Sequence, residues 1–161
     1  MKNSMFLLIL CCLIGCTSPQ RTDEEIEKAF VEINKEPFWQ ELRQMEINDQ
    51  KYRKPLDSAY RVDKAKPKGW DSLWALQKQI DDSNTERLIE ITEKYGFPYP
   101  NRINQPIAAW MIFHHSSKKY HQKIGPLLVR ECEAGRIGSL EYAMIQWHLG
   151  ERKELPFKVV K

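Results

Sequence analysis

The side chains able to move a proton or hold an ion gather in a few places along the 161-residue chain. All four histidines, His114, His115, His121 and His148, lie in its last third. Imidazole titrates near neutral pH and is a common metal ligand, so the grouping invites a metal centre. A zinc site needs three or four ligands converging at about 2.0–2.3 Å. The chain has neither H-E-x-x-H nor C-x-x-C, and Gly125-Pro126 intervenes before His148. Separate core or surface histidines are expected instead, with no metal and no other cofactor. His114 and His121, seven residues apart, would share a helix face only if one helix ran through both.

Cys132 is flanked by Glu131 and Glu133, whose charges would raise its pKa, so a buried inert thiol is expected rather than a nucleophile. No glycine-rich phosphate loop and no G-x-S-x-G is present. A third group is Asp49, Arg53 and His115. Asp49 continues the stripe Phe38, Leu42, Met45, Asp49, Tyr52 at intervals of four, three, four and three, and Arg53 lies four residues beyond it. An ion pair within one helix at the core edge is the plainer expectation. Alternatively, the two meet His115 at the end of an apolar segment, because buried charges need partners. They would then satisfy one another or line a pocket, and spacing does not choose between these. As a catalytic set they would supply His115 as general base, Asp49 to orient it and Arg53 to hold an anion.

The N-terminus bears on where such chemistry could act. Lys2 precedes an uncharged apolar run, Met5 to Ile14, which ends in Leu13-Ile14-Gly15-Cys16. The run is too short to span a bilayer, which takes roughly 18 apolar residues or more, and reads as a secretion signal. A small residue before cysteine, with an aliphatic residue three before it, is the pattern of a lipoprotein signal. Residues 1–15 are then expected to be removed, and 16–22 to form a tether with lipid on Cys16. Two or three acyl chains hold a protein stably where one does so marginally. Partnership with a membrane through that lipid and residence in the cell envelope follow, at the outer membrane if the cell has one, since Thr17 rather than Asp follows the cysteine. Cys11 and Cys12 leave with the signal, so only Cys132 is left as a thiol and the core must stand on packing. Interspersed charge, +3 overall, does not suggest nucleic-acid binding.

The elements that must position these groups read as helices. Thr22 with Glu25 offers a capping box before Ile26, Phe30 and Ile33. Pro37 closes that helix or opens the next. Pro55 to Gly69, charged and holding two prolines, reads as a surface loop with room for a turn of helix. Trp70 to Ile80 marks a third helix, and Ser83 with Glu86 a second capping box for a fourth, which Gly96 terminates. Pro106 opens an apolar, central helix through Phe113. Tyr120 to Ala134 forms another, broken at Gly125-Pro126 or not, with Gly135 as terminator. Ser139 caps a last helix that stops at Gly150, ahead of an irregular tail or edge strand. No period-two run is long enough for a confident strand. One all-α domain of about six helices over 23–161 is expected.

The order of short motifs then carries a resemblance. Asp49-Gln50-x-x-Arg53, Asn84-Thr85-x-x-Leu88-x-x-Ile91, Tyr95-Gly96-Phe97-Pro98, and Ala109-Trp110-Met111-Ile112 leading into His114-His115 follow one another. This resembles a bacterial family of unknown function, the domain-of-unknown-function family six-six-two-four. Its members carry D-Q-x-x-R, G-W-P, an apolar helix ending in Q-H-A-D, then D-R and a closing Y-G-T-Q. The resemblance runs from about Phe38 to Gly150 and implies a shared polar site at Asp49, Gln50, Arg53 and His115. His114 stands in place of the glutamine, Ser117 in place of the second acid and Gln146-Trp147 in the region of D-R, and the end near Phe157 lacks Y-G-T-Q. A lipid-anchored binding or accessory domain with a polar cleft is the leading expectation, and an envelope hydrolase using His115, Asp49 and Arg53 the alternative. A third places the working surface on the charged segment Lys51 to Lys68.

Overall fold

Helix α1, Asp23–Val31, begins where the capping box predicts. The Glu25 amide donates to Thr22 Oγ1 at 3.3 Å, and the Thr22 amide donates to the Glu25 carboxylate at 2.8 Å. The computed structural model describes residues 21–64, 66 and 68–153. The segment expected to be a lipoprotein signal, with Cys16, and the tail around Phe157 lie outside the described residues. The described residues are all-α, with eight α-helices and one 3-10 turn.

Helix α2, Lys35–Asp49, carries Pro37 at its third position, where a missing N–H costs nothing because the first turn has no acceptors for it. The segment expected as a surface loop is instead largely helical, as α3, Arg53–Asp63. Pro55 falls in the first turn, where proline is tolerated. Leu56 is buried beneath α3, Tyr60 meets the Trp70 ring at 5.8 Å, and Lys64 ends the helix in a left-handed conformation, φ 53°. Proline and charge had masked a helix held by one buried side chain.

Helix α4, Trp70–Tyr95, is a single element of 26 residues where two were expected. Ser83 lies inside it, so the second capping box is not made: the stripe Gln77, Asn84, Leu88, Ile91 runs unbroken at helical spacing and tertiary burial overrides the local stop signal. Gly96 does end it, at φ 76°, and does so under crowding. A Cβ there would stand 2.7 Å from Arg136 Cδ, so both backbone and space require glycine.

The rest wraps this strut. Helix α5, Pro100–Ile103, is one turn, and α6, Trp110–His114, is far shorter than the central helix expected from Pro106. Ile107 and Ala109 are nevertheless buried with Ile112 and Phe113, so continuous apolarity marked depth correctly and helicity only in part. A 3-10 turn, Lys118–Tyr120, leads into α7, His121–Glu133, which passes through Pro126 with that residue exposed. Gly135 follows α7 at φ 67°, as expected of a terminator. Helix α8, Ser139–Leu149, is preceded by Gly138 at the cap, not by Ser139, with no side-chain cap bond. Phe38, Leu42 and Met45 of α2 join Leu88, Ile91, Phe113, Leu128 and Ile145 in one core.

Where α4 ends, a buried ionic knot joins α1 to α7. Glu131, fully buried, accepts from Arg136 at 2.7 and 3.0 Å, from Arg130 at 2.8 Å and from the Phe97 amide at 2.7 Å. Arg136 also reaches Asp23 of α1 at 2.8 Å. Cys132, beside Glu131, is exposed, not buried as expected. The inward face of α7 falls on Ile124, Leu127, Leu128 and Glu131, and one further residue turns about 100° away from it. No helix among the described residues is long and apolar enough to cross a membrane.

Candidate functional site

Asp49 closes α2 and is 1% exposed, a poor place for a carboxylate without partners. Its partner is His115, the residue that caps α6 just past His114: Nδ1 lies 2.9 and 3.0 Å from the two carboxylate oxygens. The Gln50 side-chain amide donates to Asp49 Oδ2 at 2.5 Å. Asp49 and Arg53 do not form the ion pair expected within one helix. The chain turns between them, α2 ending and α3 beginning, so the four-residue spacing no longer places the two side chains together. Arg53 instead grips Asp81 of α4, its Nη2 donating to both carboxylate oxygens at 2.9 and 2.8 Å.

Gln77, fully buried one turn before Asp81, ties the two halves together. Its amide nitrogen donates to the Asp49 carbonyl at 2.9 Å and to Asp81 Oδ1 at 2.8 Å, and its oxygen accepts from the Tyr52 amide at 2.9 Å. Burial raises the Asp81 pKa, against the lowering influence of the Gln77 bond and the Arg53 charge, and the neighbouring Asp49 raises it further. The Arg53 guanidinium lies 5.4 Å from the centre of the Trp74 ring, and its Nε has no hydrogen-bond partner among the described residues. Neither Gln77 nor Asp81 was singled out as a site residue from sequence. The signal was there, as two polar residues four apart on the inward stripe of a helix.

A carboxylate is an acceptor only, so Nδ1 of His115 carries the hydrogen it shares with Asp49. Nε2 has no hydrogen-bond partner among the described residues, and the side chain is 14% exposed. A buried acid fixing one nitrogen while the other is free to accept is the geometry of a general base.

The four histidines are not separate, as the sequence led us to expect. His114 lies ring to ring with His115 at 5.5 Å and with His148 at 5.4 Å, and His148 with His121 at 5.1 Å. The route is not a shared helix face, for α6 ends at His114. His114 Nδ1 lies 3.1 Å from the Met144 carbonyl and stacks on Trp147, and His148 Nε2 lies 2.8 Å from the Ser116 carbonyl. These two reciprocal bonds clasp α8 to the end of α6. Among the described residues, no three His, Cys, Asp or Glu side chains converge as a metal requires. Ser117 donates to Asp82 of α4 at 2.8 Å. A separate cleft of about 220 Å³, lined by Phe30, Trp39, Arg102 and Gln105, does not touch the Asp49–His115 pair.

Burial, together with the charge of Arg152 3.2 Å from Nδ1, lowers the His148 pKa to about 4 against the raising influence of the Ser116 bond. His114 is lowered by the same desolvation. A base whose folded pKa lies below its unfolded value of about 6.5 favours the unfolded chain once that chain takes up the proton. Stability is therefore expected to be full above about pH 6.5 and to fall as pH drops toward 4. The loss should be about 2 kcal/mol, after allowance for solvent screening of a half-buried ring. Thermal melts of wild type and His148→Gln across this range check it, since the variant should lose much of the slope.

Comparison with family models, curated proteins and solved structures finds no match to this chain.

Proposed function

We propose that this protein is a cell-envelope lipoprotein, anchored through lipid on Cys16, whose helical domain binds a ligand at the Asp49–His115 pair. The observation that carries the site is the buried Asp49 carboxylate on Nδ1 of His115, with Nε2 left unpartnered among the described residues. Binding sites hold few polar groups, each placed by a rigid support, and Gln50, Gln77 and the Arg53–Asp81 pair are such a support here. The resemblance to the domain-of-unknown-function family six-six-two-four adds to this reading. Its matched positions Asp49, Gln50, Arg53 and His115 lie in or beside this one cluster, while His114, Ser117 and Gln146-Trp147 stand where the family's own residues are missing.

The same hydrogen bond favours a second reading, an envelope hydrolase in which His115 removes a proton from water or a hydroxyl while Asp49 orients the ring. The charge of Arg53 is balanced by Asp81, which weakens its assigned role as an anion holder.

Labelled palmitate should enter the wild-type chain and not Cys16→Ser, and only the wild type should fractionate as a mature membrane-anchored protein. Equal labelling of the two would overturn the anchor. A panel of chromogenic ester and amide substrates, read with wild type and His115→Ala, decides the second reading: turnover that survives the substitution removes His115 as its base.

A further inference from the structure

The long charged segment of which the Asp49–His115 site uses only Arg53 has a structure of its own. Residues 51–71 hold seven basic residues against three acidic ones. Of these, Arg53 faces Asp81, but Lys51, Lys54, Arg61, Lys64, Lys66 and Lys68 make no ion pair among the described residues, and all six are exposed. Beside them stand side chains that a solvated face does not need. Val62 is 79% and Tyr60 49% exposed, and an aromatic ladder runs from Tyr60 through Trp70 to Trp74 at 5.8 and 5.9 Å. Exposed cations interleaved with aromatic and aliphatic groups, on a short helix secured mainly through Leu56, are the composition of a helix that lies in a membrane interface. The far end of the domain is opposite in character. Asp23–Glu32 carries five acids and one lysine.

We infer that α3 and the first turn of α4 form a contact surface for anionic phospholipid. This rests on the anchored reading above in one respect. A lipid on Cys16 leaves five residues, 17–21, before the domain begins at Thr22, a reach of about 20 Å at full extension. The domain begins, at Thr22 and Asp23, beside the Glu131 knot at the C-terminal end of α4, while α3 packs along its N-terminal half, from about 21 Å away at Asp81 to about 39 Å at Trp70. An anionic bilayer attracts α3 and repels the acidic α1, which the lipid tether still holds within about 20 Å of the surface, so the domain is held at both ends. Each Lys or Arg held near such a surface strengthens the attachment roughly fivefold. The Trp74 end of the ladder adjoins Arg53, so the Asp49–His115 site borders the bilayer-facing edge.

The test uses the lipidated protein purified from membranes and reconstituted into vesicles of phosphatidylcholine, with or without phosphatidylglycerol. Amide hydrogen exchange across α3 should slow by about threefold or more only where phosphatidylglycerol is present. The difference should vanish in high salt and in the triple variant Lys54→Glu, Lys64→Glu, Lys68→Glu, with exchange in α7 unchanged as a check that the variant is folded. Equal exchange of α3 in both vesicles overturns the inference. So does slowing by soluble polyglutamate but by neither vesicle, which would assign the surface to an acidic protein. The intact mass reports the anchor separately. If no acyl group is on Cys16, that reading fails by itself, and flotation of the unlipidated chain with phosphatidylglycerol vesicles decides α3: flotation supports the surface, and its absence removes it.

Discussion

Glu131→Ala should lower the melting temperature by about 10 °C or more. The carboxylate is fully buried and holds Arg136, Arg130 and the Phe97 amide at once. Removing one partner of a buried ion pair leaves uncompensated charge in a low-dielectric interior and costs about 3–5 kcal/mol. The Phe97 amide loses its acceptor outright, while Arg136 keeps Asp23 and Arg130 keeps the Thr92 carbonyl, so the middle of that range applies. In a domain of this size each kcal/mol moves the midpoint by about 2–4 °C. Glu131→Gln keeps an acceptor for Phe97 and should fall between wild type and alanine. Calorimetry of the three proteins checks the order. A melting point for Glu131→Ala within two or three degrees of wild type, about the value of a single exposed pair, would show that the knot is not structural.

Asp49→Ala should cost about 2–4 kcal/mol, for a different reason. It strips the acceptor from His115 Nδ1 and from the Gln50 amide, both at the seam where α2 turns into α3. Donors left unsatisfied in the interior bear their full desolvation penalty. Because the histidine and the acid act as a pair, His115→Ala in the Asp49→Ala background should cost much less than it does alone. A double-mutant cycle should return a coupling of about 1 kcal/mol or more. Additive effects would mean that the two side chains are neighbours without being partners. Asp49→Asn keeps an oxygen for the shared hydrogen and should retain most of the stability, while abolishing whatever ligand capture depends on the negative charge.

Sequence alone reached different depths in different parts of the chain. Where a signal is local and reciprocal, as at Thr22 and Glu25, it located the helix start to the residue. Where local signals oppose tertiary burial it misled. Ser83 and Glu86 spell a cap, yet Asn84, Leu88 and Ile91 continue a face that began at Gln77, and packing of that face holds the helix together. The Pro55–Gly69 stretch failed in the other direction, since its helical period, Leu56, Ala59 and Tyr60, is short and lies among prolines and charges, with Leu56 its buried member. Cys132 was placed by the chemistry of its neighbours rather than by its angle on the helix, which excludes it from the inward face.

The candidate site shows the same division. Asp49 and His115 were named together, and the structure joins them. Arg53 was assigned to Asp49 because both were read on one helix, and its true partner, Asp81, is 28 residues away in sequence. Long-range pairing of that kind leaves no trace in spacing. Asp81 and Gln77 were legible only as polar interruptions of an apolar stripe. The histidines were judged by ligand motifs, which they lack, while their contact through α6 and α8 depends on tertiary docking alone.

The position of α4 in the order of the chain has a consequence for biogenesis. Ile26 is buried on α1, which packs on α4, and Phe38, Leu42 and Met45 come from α2, which packs on α4 and α6, elements that end at Tyr95 and His114. A polypeptide threaded through a membrane N-terminus first would deliver these apolar groups into the aqueous compartment well before anything exists for them to pack on. Until residue 114 or so has emerged, the leading third is a collapsed, sticky chain rather than a nascent domain. Were this chain exported as proposed above, it would depend on a holding chaperone on the far side of the membrane for longer than one whose first two helices supply each other's core.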